Sequence, residues 1–129
     1  MKIEHVAIWT QELEQLRAFY ETYFEAHAGP KYVNPHRQFQ SYFVTFDSGA
    51  RLELMSLPAV QQAAEGGAAQ RVGLAHVALS VGSEEGVDEL TVRLREDGYT
   101  VLDGPRRTGD GYYESCVLDP DGNRVEITA

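Results

Sequence analysis

Two histidines and two glutamates recur in this chain at matching places. Ile3-Glu4-His5-Val6-Ala7-Ile8 is echoed by Leu74-Ala75-His76-Val77-Ala78-Leu79, and both read apolar, any residue, His, Val, Ala, apolar. Gly49-Ala50-Arg51-Leu52-Glu53-Leu54 is echoed by Gly122-Asn123-Arg124-Val125-Glu126-Ile127, and both read Gly, any residue, Arg, apolar, Glu, apolar. His76 follows His5 by 71 positions and Glu126 follows Glu53 by 73. A single strand histidine is ordinarily a hydrogen-bonded or surface residue, and a single strand glutamate a solvated one. Two pairs repeated at nearly one offset point instead to a duplicated unit, each copy supplying an imidazole and a carboxylate. Two neutral imidazoles and two carboxylates suit a divalent metal of intermediate softness, such as nickel, cobalt, zinc, manganese or iron. A cation also removes the repulsion between two carboxylates gathered in a partly buried place.

The elements that must position these residues follow the same duplication. Each half opens with an alternating strand, residues 2–10 or 73–82. A helix follows, with an apolar stripe of Leu13, Leu16, Phe19, Tyr20, Tyr23 and Phe24 in the first half and of Val87, Leu90 and Leu94 in the second. Thr10 and Ser83 are expected as N-caps, with Glu84 and Glu85 at the positive helix end, and Gly29 and Gly98 as the stops. Three strands complete each half, near 31–34, 39–47 and 50–56, then 99–103, 112–118 and 124–128. Asp47-Ser48-Gly49 and Asp119-Pro120-Asp121-Gly122 supply turn chemistry between the last two. The expectation is an α+β fold over residues 1–129: two βαβββ modules, 1–56 and 73–129, with pseudo-twofold symmetry and curved mixed sheets enclosing a cavity. Residues 57–72, rich in Ala, Gln and Gly, read as a linker with a frayed helix over 59–64. A connection of that length permits the halves to pair within one chain or to exchange with a second.

Strand alternation then sorts the faces. Val6, Ile8, Leu52, Leu54, Val77, Leu79, Val125 and Ile127 are expected on the helices. His5, Glu53, His76 and Glu126 fall on the opposite face, in the company of Trp9, Arg51, Met55 and Arg124. Phe43 and Tyr113 are expected to join Trp9 and Met55 as apolar walls around a small-molecule substrate, with Arg51 and Arg124 as cationic contacts. Residues 106–113, with Gly109 and Gly111, are expected to form a mobile lid. His27 reads as a surface residue at a helix end, His36 as part of a polar loop, and Cys116 as a small core residue.

Composition narrows the classes. The chain has 129 residues, 43% hydrophobic and 24% charged, which is globular. The formal net charge of −9 disfavours nucleic acid as a partner. No apolar run reaches the length of a membrane span or a signal peptide, and the single cysteine excludes an internal disulfide; both fit a cytoplasmic protein with no membrane partner. No Gly-x-Ser-x-Gly, P-loop or dinucleotide fingerprint occurs.

The whole chain, above all Glu4-His5-Val6-Ala7, Ala75-His76-Val77-Ala78-Leu79 and Asp119 through Glu126, resembles the glyoxalase / bleomycin-resistance / extradiol-dioxygenase (vicinal oxygen chelate) superfamily. The resemblance implies paired βαβββ modules, a homodimer, and His5, Glu53, His76 and Glu126 as ligands like the two-His, two-Glu set of glyoxalase I. It further implies a lyase or isomerase acting on a hydroxy-carbonyl or thiol-adduct substrate through an enediolate, with Glu126 as base and Glu53 as its counterpart. A non-catalytic drug-binding protein is the alternative, and an iron-dependent dioxygenase the next. Glu53 disfavours the dioxygenase, which holds iron with two His and one Glu. Trp9 stands where bacterial glyoxalase I carries an arginine that helps hold a glutathione carboxylate. Indole brings an apolar face and one donor but no positive charge, so that contact to glutathione does not carry over and the use of glutathione stays open.

Overall fold

The computed structural model describes residues 1–62 and 72–129. The chain divides into two compact units, Met1–Ala63 and Ala64–Ala129, and each builds one mixed sheet with one helix. In the first, strand β1 (His5–Trp9) leads into helix α1 (Leu13–Phe24), then β2 (His27–Ala28), β3 (Tyr32–Asn34), β4 (Phe39–Thr45) and β5 (Arg51–Ser56). The sheet order is β1-β5-β4-β2, with β3 also on β4. Strands β1 and β5 are parallel, and β5 and β4 antiparallel. In the second unit β6 (Val77–Ser80) leads into helix α2 (Glu84–Glu96), then β7 (Val101–Arg107), β8 (Tyr113–Leu118) and β9 (Arg124–Thr128), in the order β6-β9-β8-β7. Both units are therefore βαβββ-like, the first carrying the two-residue β2 as an addition.

The helices form where the apolar stripes lie. Leu13, Leu16, Phe19, Tyr20 and Phe24 are buried on α1 against Val44, Leu52 and Leu54 of the sheet. On α2 the buried residues are Val87, Thr91 and Leu94, facing Ser115, Val117, Val125 and Ile127. Thr91 Oγ1 donates to the Val87 carbonyl or shares a hydrogen with Ser115 Oγ, each at 2.6 Å, so these hydroxyls are buried but satisfied.

The helix ends differ between the modules. Ser83 caps α2 as expected, its Oγ accepting from the Gly86 N–H at 3.0 Å. Gly98 at φ +90° follows the α2 end, as a left-handed stop should. At α1 the N-cap is Glu12, and Thr10 instead sits two residues earlier, its buried hydroxyl accepting from the Glu12 N–H. Helix α1 ends at Glu25, which itself takes the left-handed conformation, so Gly29 is not its stop. His27 consequently lies in β2, not at a helix end.

Two loop expectations are also corrected. Residues 57–62 form a turn, with the Val60 N–H on the Leu57 carbonyl, not a helix; residues 63–71 lie outside the described residues. Residues 106–113 are the tip of a hairpin and not a free loop: Arg106 and Arg107 end β7, Tyr113 begins β8, and Thr108 and Tyr112 close the turn between them. The N–H of Thr108 donates to the Tyr112 carbonyl at 2.8 Å, and that of Tyr112 to Thr108 Oγ1 at 2.9 Å. Among the described residues no helix is long and apolar enough to cross a membrane.

Candidate functional site

In each module the first strand lies parallel to the last, which puts the histidine of one beside the glutamate of the other. In the first, His5 pairs with Arg51 and Ala7 with Glu53. The small Ala7 leaves room across the strand pair, and His5 Nε2 stands 3.7 Å from Glu53 Oε2. In the second, Ala78 pairs with Glu126, and His76, one residue before β6, places Nε2 3.1 Å from Glu126 Oε2. The two carboxylates are similarly sheltered, with side-chain exposures of 17% for Glu53 and 22% for Glu126. Two donors each about 2.1 Å from one ion lie about 3.0 Å apart at a right angle and about 3.4 Å apart at the tetrahedral angle. The His76–Glu126 pair has that spacing, and the His5–Glu53 pair is slightly wider. Among the described residues no group of three or more His, Cys, Asp and Glu side chains is gathered at metal-binding distances.

All four residues lie on the sheet face turned away from the helix, as alternation predicts. On the first sheet the same face carries Trp9, Arg51, Met55 and Phe43. Phe43 meets His5 edge-on, with centroids 5.3 Å apart, and the Arg51 guanidinium lies 4.2 Å from the Phe43 ring centre. Arg51 also pairs with Glu4, whose carboxylate in turn contacts His5 Nδ1. The His5 contact first and Arg51 second hold the Glu4 carboxyl below its usual range. Trp9 and Met55 are register partners one step beyond Glu53, and Trp9 is half exposed. Trp9 is edge-on to Phe39 at 6.2 Å, and Phe39 lies 6.0 Å from Tyr32, so an aromatic row continues along the face. Phe39 shares the parity of Phe43 in β4 and was legible from that alternation. Tyr32 was not, because its face depends on its pairing with Ser41.

On the second sheet the strand β8 reverses two expectations. Tyr113 is on the helix side: its hydroxyl donates to Asp88 Oδ1 of α2 at 2.7 Å. It shares the parity of Ser115 and Val117, both buried under α2, and is not a wall of the helix-free face. Cys116 is on that face, paired with Glu126, and is half-buried instead of part of the helix-packed core. Burial holds its thiol above the usual range. Glu114 is a residue the sequence reading missed. It has the parity of Cys116, and burial, followed by the charge of Glu126, raises its carboxyl above the ordinary range. Arg124, half-buried, is next to Glu126 on the same face and pairs in register with Leu118. Asp103 and Arg106 of β7, joined by a 2.6 Å hydrogen bond, are the register partners of Cys116 and Glu114.

The chain is similar to several known proteins. A possible glyoxalase from Bacillus cereus superposes with a TM-score of 0.72 at 26% identity, over 100% of this chain and 99% of that one. Glyoxalase I from Zea mays superposes with a TM-score of 0.80 over 98% of this chain and 44% of that one, and at 19% identity that likeness speaks for the fold alone. The uncharacterized protein YqjT of Bacillus subtilis (strain 168) is 42% identical over 62 residues, which span 46% of this chain and 48% of that protein, about half of each. The family profile described as Glyoxalase/Bleomycin resistance protein/Dioxygenase superfamily matches residues 2–127. With a duplicated βαβββ unit and a family match over nearly its full length, the chain belongs to the Glyoxalase/Bleomycin resistance protein/Dioxygenase superfamily.

Proposed function

We propose that the protein is a metal-dependent lyase or isomerase of glyoxalase type, with His5, Glu53, His76 and Glu126 holding one divalent metal. The observation that carries this reading is the repetition of one motif. Each module independently sets an imidazole Nε2 against a sheltered carboxylate on its helix-free face. Fold alone does not require it, since both faces of a sheet can be filled by many residue types. The donor set suits nickel, zinc or cobalt, and the His76–Glu126 spacing suits donors to a common ion, with the His5–Glu53 pair slightly wider.

A divalent metal in such a place supplies Lewis acidity toward a substrate carbonyl and acidifies the neighbouring C–H. The chain's own part is to move the proton. Glu126 accepts it at a carboxylate oxygen and returns it to the adjacent carbon, so the substrate is isomerised with no net gain or loss of atoms. Glu53 is the matching carboxylate of the first module. Trp9, Phe43 and Met55 present apolar surface to the substrate, and Arg51 and Arg124 present positive charge. Trp9 offers no cation for a glutathione carboxylate, which favours a small, partly apolar hydroxy-carbonyl compound.

The test is nickel and zinc affinity of the wild type beside His5→Ala and His76→Ala, with hydroxy-carbonyl and thiol-adduct turnover measured on each loaded sample. Tight binding lost in both variants, with turnover in the wild type, is the expected result. A wild type that binds no divalent metal overturns the reading and leaves small-molecule sequestration. Glu126→Gln is expected to abolish turnover while keeping most of the metal affinity, and an active Glu126→Gln protein removes Glu126 from the proton-transfer role.

A further inference from the structure

Glu4 stands outside the roles assigned above, yet it touches two residues of the first module's pair. Its carboxylate contacts His5 Nδ1 on one side and the Arg51 guanidinium on the other. Arg51 is itself seated 4.2 Å from the Phe43 ring centre, and Phe43 packs edge-on to His5. The imidazole is thus bracketed: a carboxylate at Nδ1, an aromatic ring at its side, and Glu53 3.7 Å from Nε2. These contacts depend on the parallel register that sets His5 opposite Arg51.

A carboxylate accepts a hydrogen bond from Nδ1 only when that nitrogen carries the proton. Nε2 is then left with its lone pair, on the side where Glu53 stands. Free neutral imidazole favours the opposite tautomer. We propose that Glu4 is a positioning residue for His5: it holds the imidazole in the Nδ1–H tautomer and turns the Nε2 lone pair toward the metal beside Glu53. The metal half of this rests on the reading above; the tautomer does not. A plain structural role, closing the edge between β1 and β5, explains less. Exposed ion pairs contribute little to stability. In the second module Ala75 precedes His76, so no carboxylate stands at that place, and the β6–β9 pairing starts one residue later, at Val77 and Val125. Partners of this kind at the non-ligating nitrogen of a metal-bound histidine commonly change metal affinity by about 10–100-fold.

Two measurements on the full chain test the proposal. Long-range nitrogen–proton correlation spectra of the metal-free, nitrogen-15-labelled protein, at a pH where imidazoles are neutral, read the tautomer of His5, identified by its loss in His5→Ala. Nickel titration reads the affinity. The wild type is expected to show Nδ1–H at His5. Glu4→Ala is expected to shift His5 toward Nε2–H and to weaken nickel by about 10–100-fold. The signals of His76 should be unmoved in that variant, which reports an intact fold. Glu4→Gln, whose amide oxygen still accepts from Nδ1–H, is expected to keep the tautomer and most of the affinity. A nickel-binding wild type whose tautomer and affinity are both unchanged by Glu4→Ala overturns the role of Glu4 alone. A tautomer that moves with no change in affinity overturns the positioning toward metal. A wild type that binds no nickel overturns the metal reading itself, with the tautomer result still deciding whether Glu4 sets the state of His5.

Discussion

Glu114 gives the second module a pH dependence whose sign follows from its surroundings. Its carboxyl is raised first by burial and then by the charge of Glu126. The folded protein therefore holds the Glu114 proton more tightly than the unfolded chain does. The stability this confers is fully present below the unfolded value of about 4.3 and is lost as pH rises through the raised folded value. Glu114→Gln removes the titration. In metal-free protein it is expected to be more stable than the wild type at pH 7, with the difference narrowing toward pH 4, as read from denaturant midpoints at both values. A constant difference would place the effect in packing, not in charge. The identity of the four proposed ligands was legible in the sequence because the duplication labels them twice. Glu114 carried no such label: its counterpart in alternation, Cys116, read as core.

Strand β7 meets β8 through an irregular register, with shifts on either side of Asp103. Gly104 sits in that irregularity at φ +80°, and a Cβ there would stand 2.6 Å from the Glu114 carbonyl oxygen and 2.9 Å from Ser115 Cα. The neighbours are backbone, so they have little freedom to move. Gly104→Ala combines left-handed strain with overlap and is expected to cost about 1–3 kcal/mol, read as a lower denaturation midpoint. The β8–β9 turn depends on a different device. Asp119 is buried; Oδ1 accepts from the Asp121 N–H at 3.0 Å and the Asn123 N–H at 2.8 Å, and Oδ2 from the Asn123 amide at 2.9 Å. Asp119→Ala strips those donors of their acceptor and is expected to destabilise by about 1–3 kcal/mol. The turn composition made this turn legible in advance. The irregularity in β7 was not, because a bulge is set by how two strands fit and leaves no periodic trace.

For the whole chain, metal and folding should be linked. A metal that binds the native protein and not the unfolded one raises the unfolding free energy by about 4 kcal/mol at a thousand times its dissociation constant. Saturating nickel is expected to raise the denaturation midpoint of the wild type, a chelator to reverse it, and His5→Ala and His76→Ala each to abolish the rise. A rise that survives either substitution would mean that one module binds the ion without the other. The alternation of Val6 with Ile8, Leu52 with Leu54 and Val125 with Ile127 was enough by itself to put His5, Glu53 and Glu126 on the face away from the helices. One face of those strands is plainly apolar, and a period of two leaves no other choice. Strand β8 has no such contrast: Tyr113, Ser115 and Val117 are about as mixed as Glu114, Cys116 and Leu118. Only helix α2, through Asp88 on Tyr113 and Thr91 on Ser115, decided which set turned inward. The bracket around His5 likewise needed tertiary structure, because Glu4 and Arg51 are distant in sequence and meet only when β1 and β5 pair in this register.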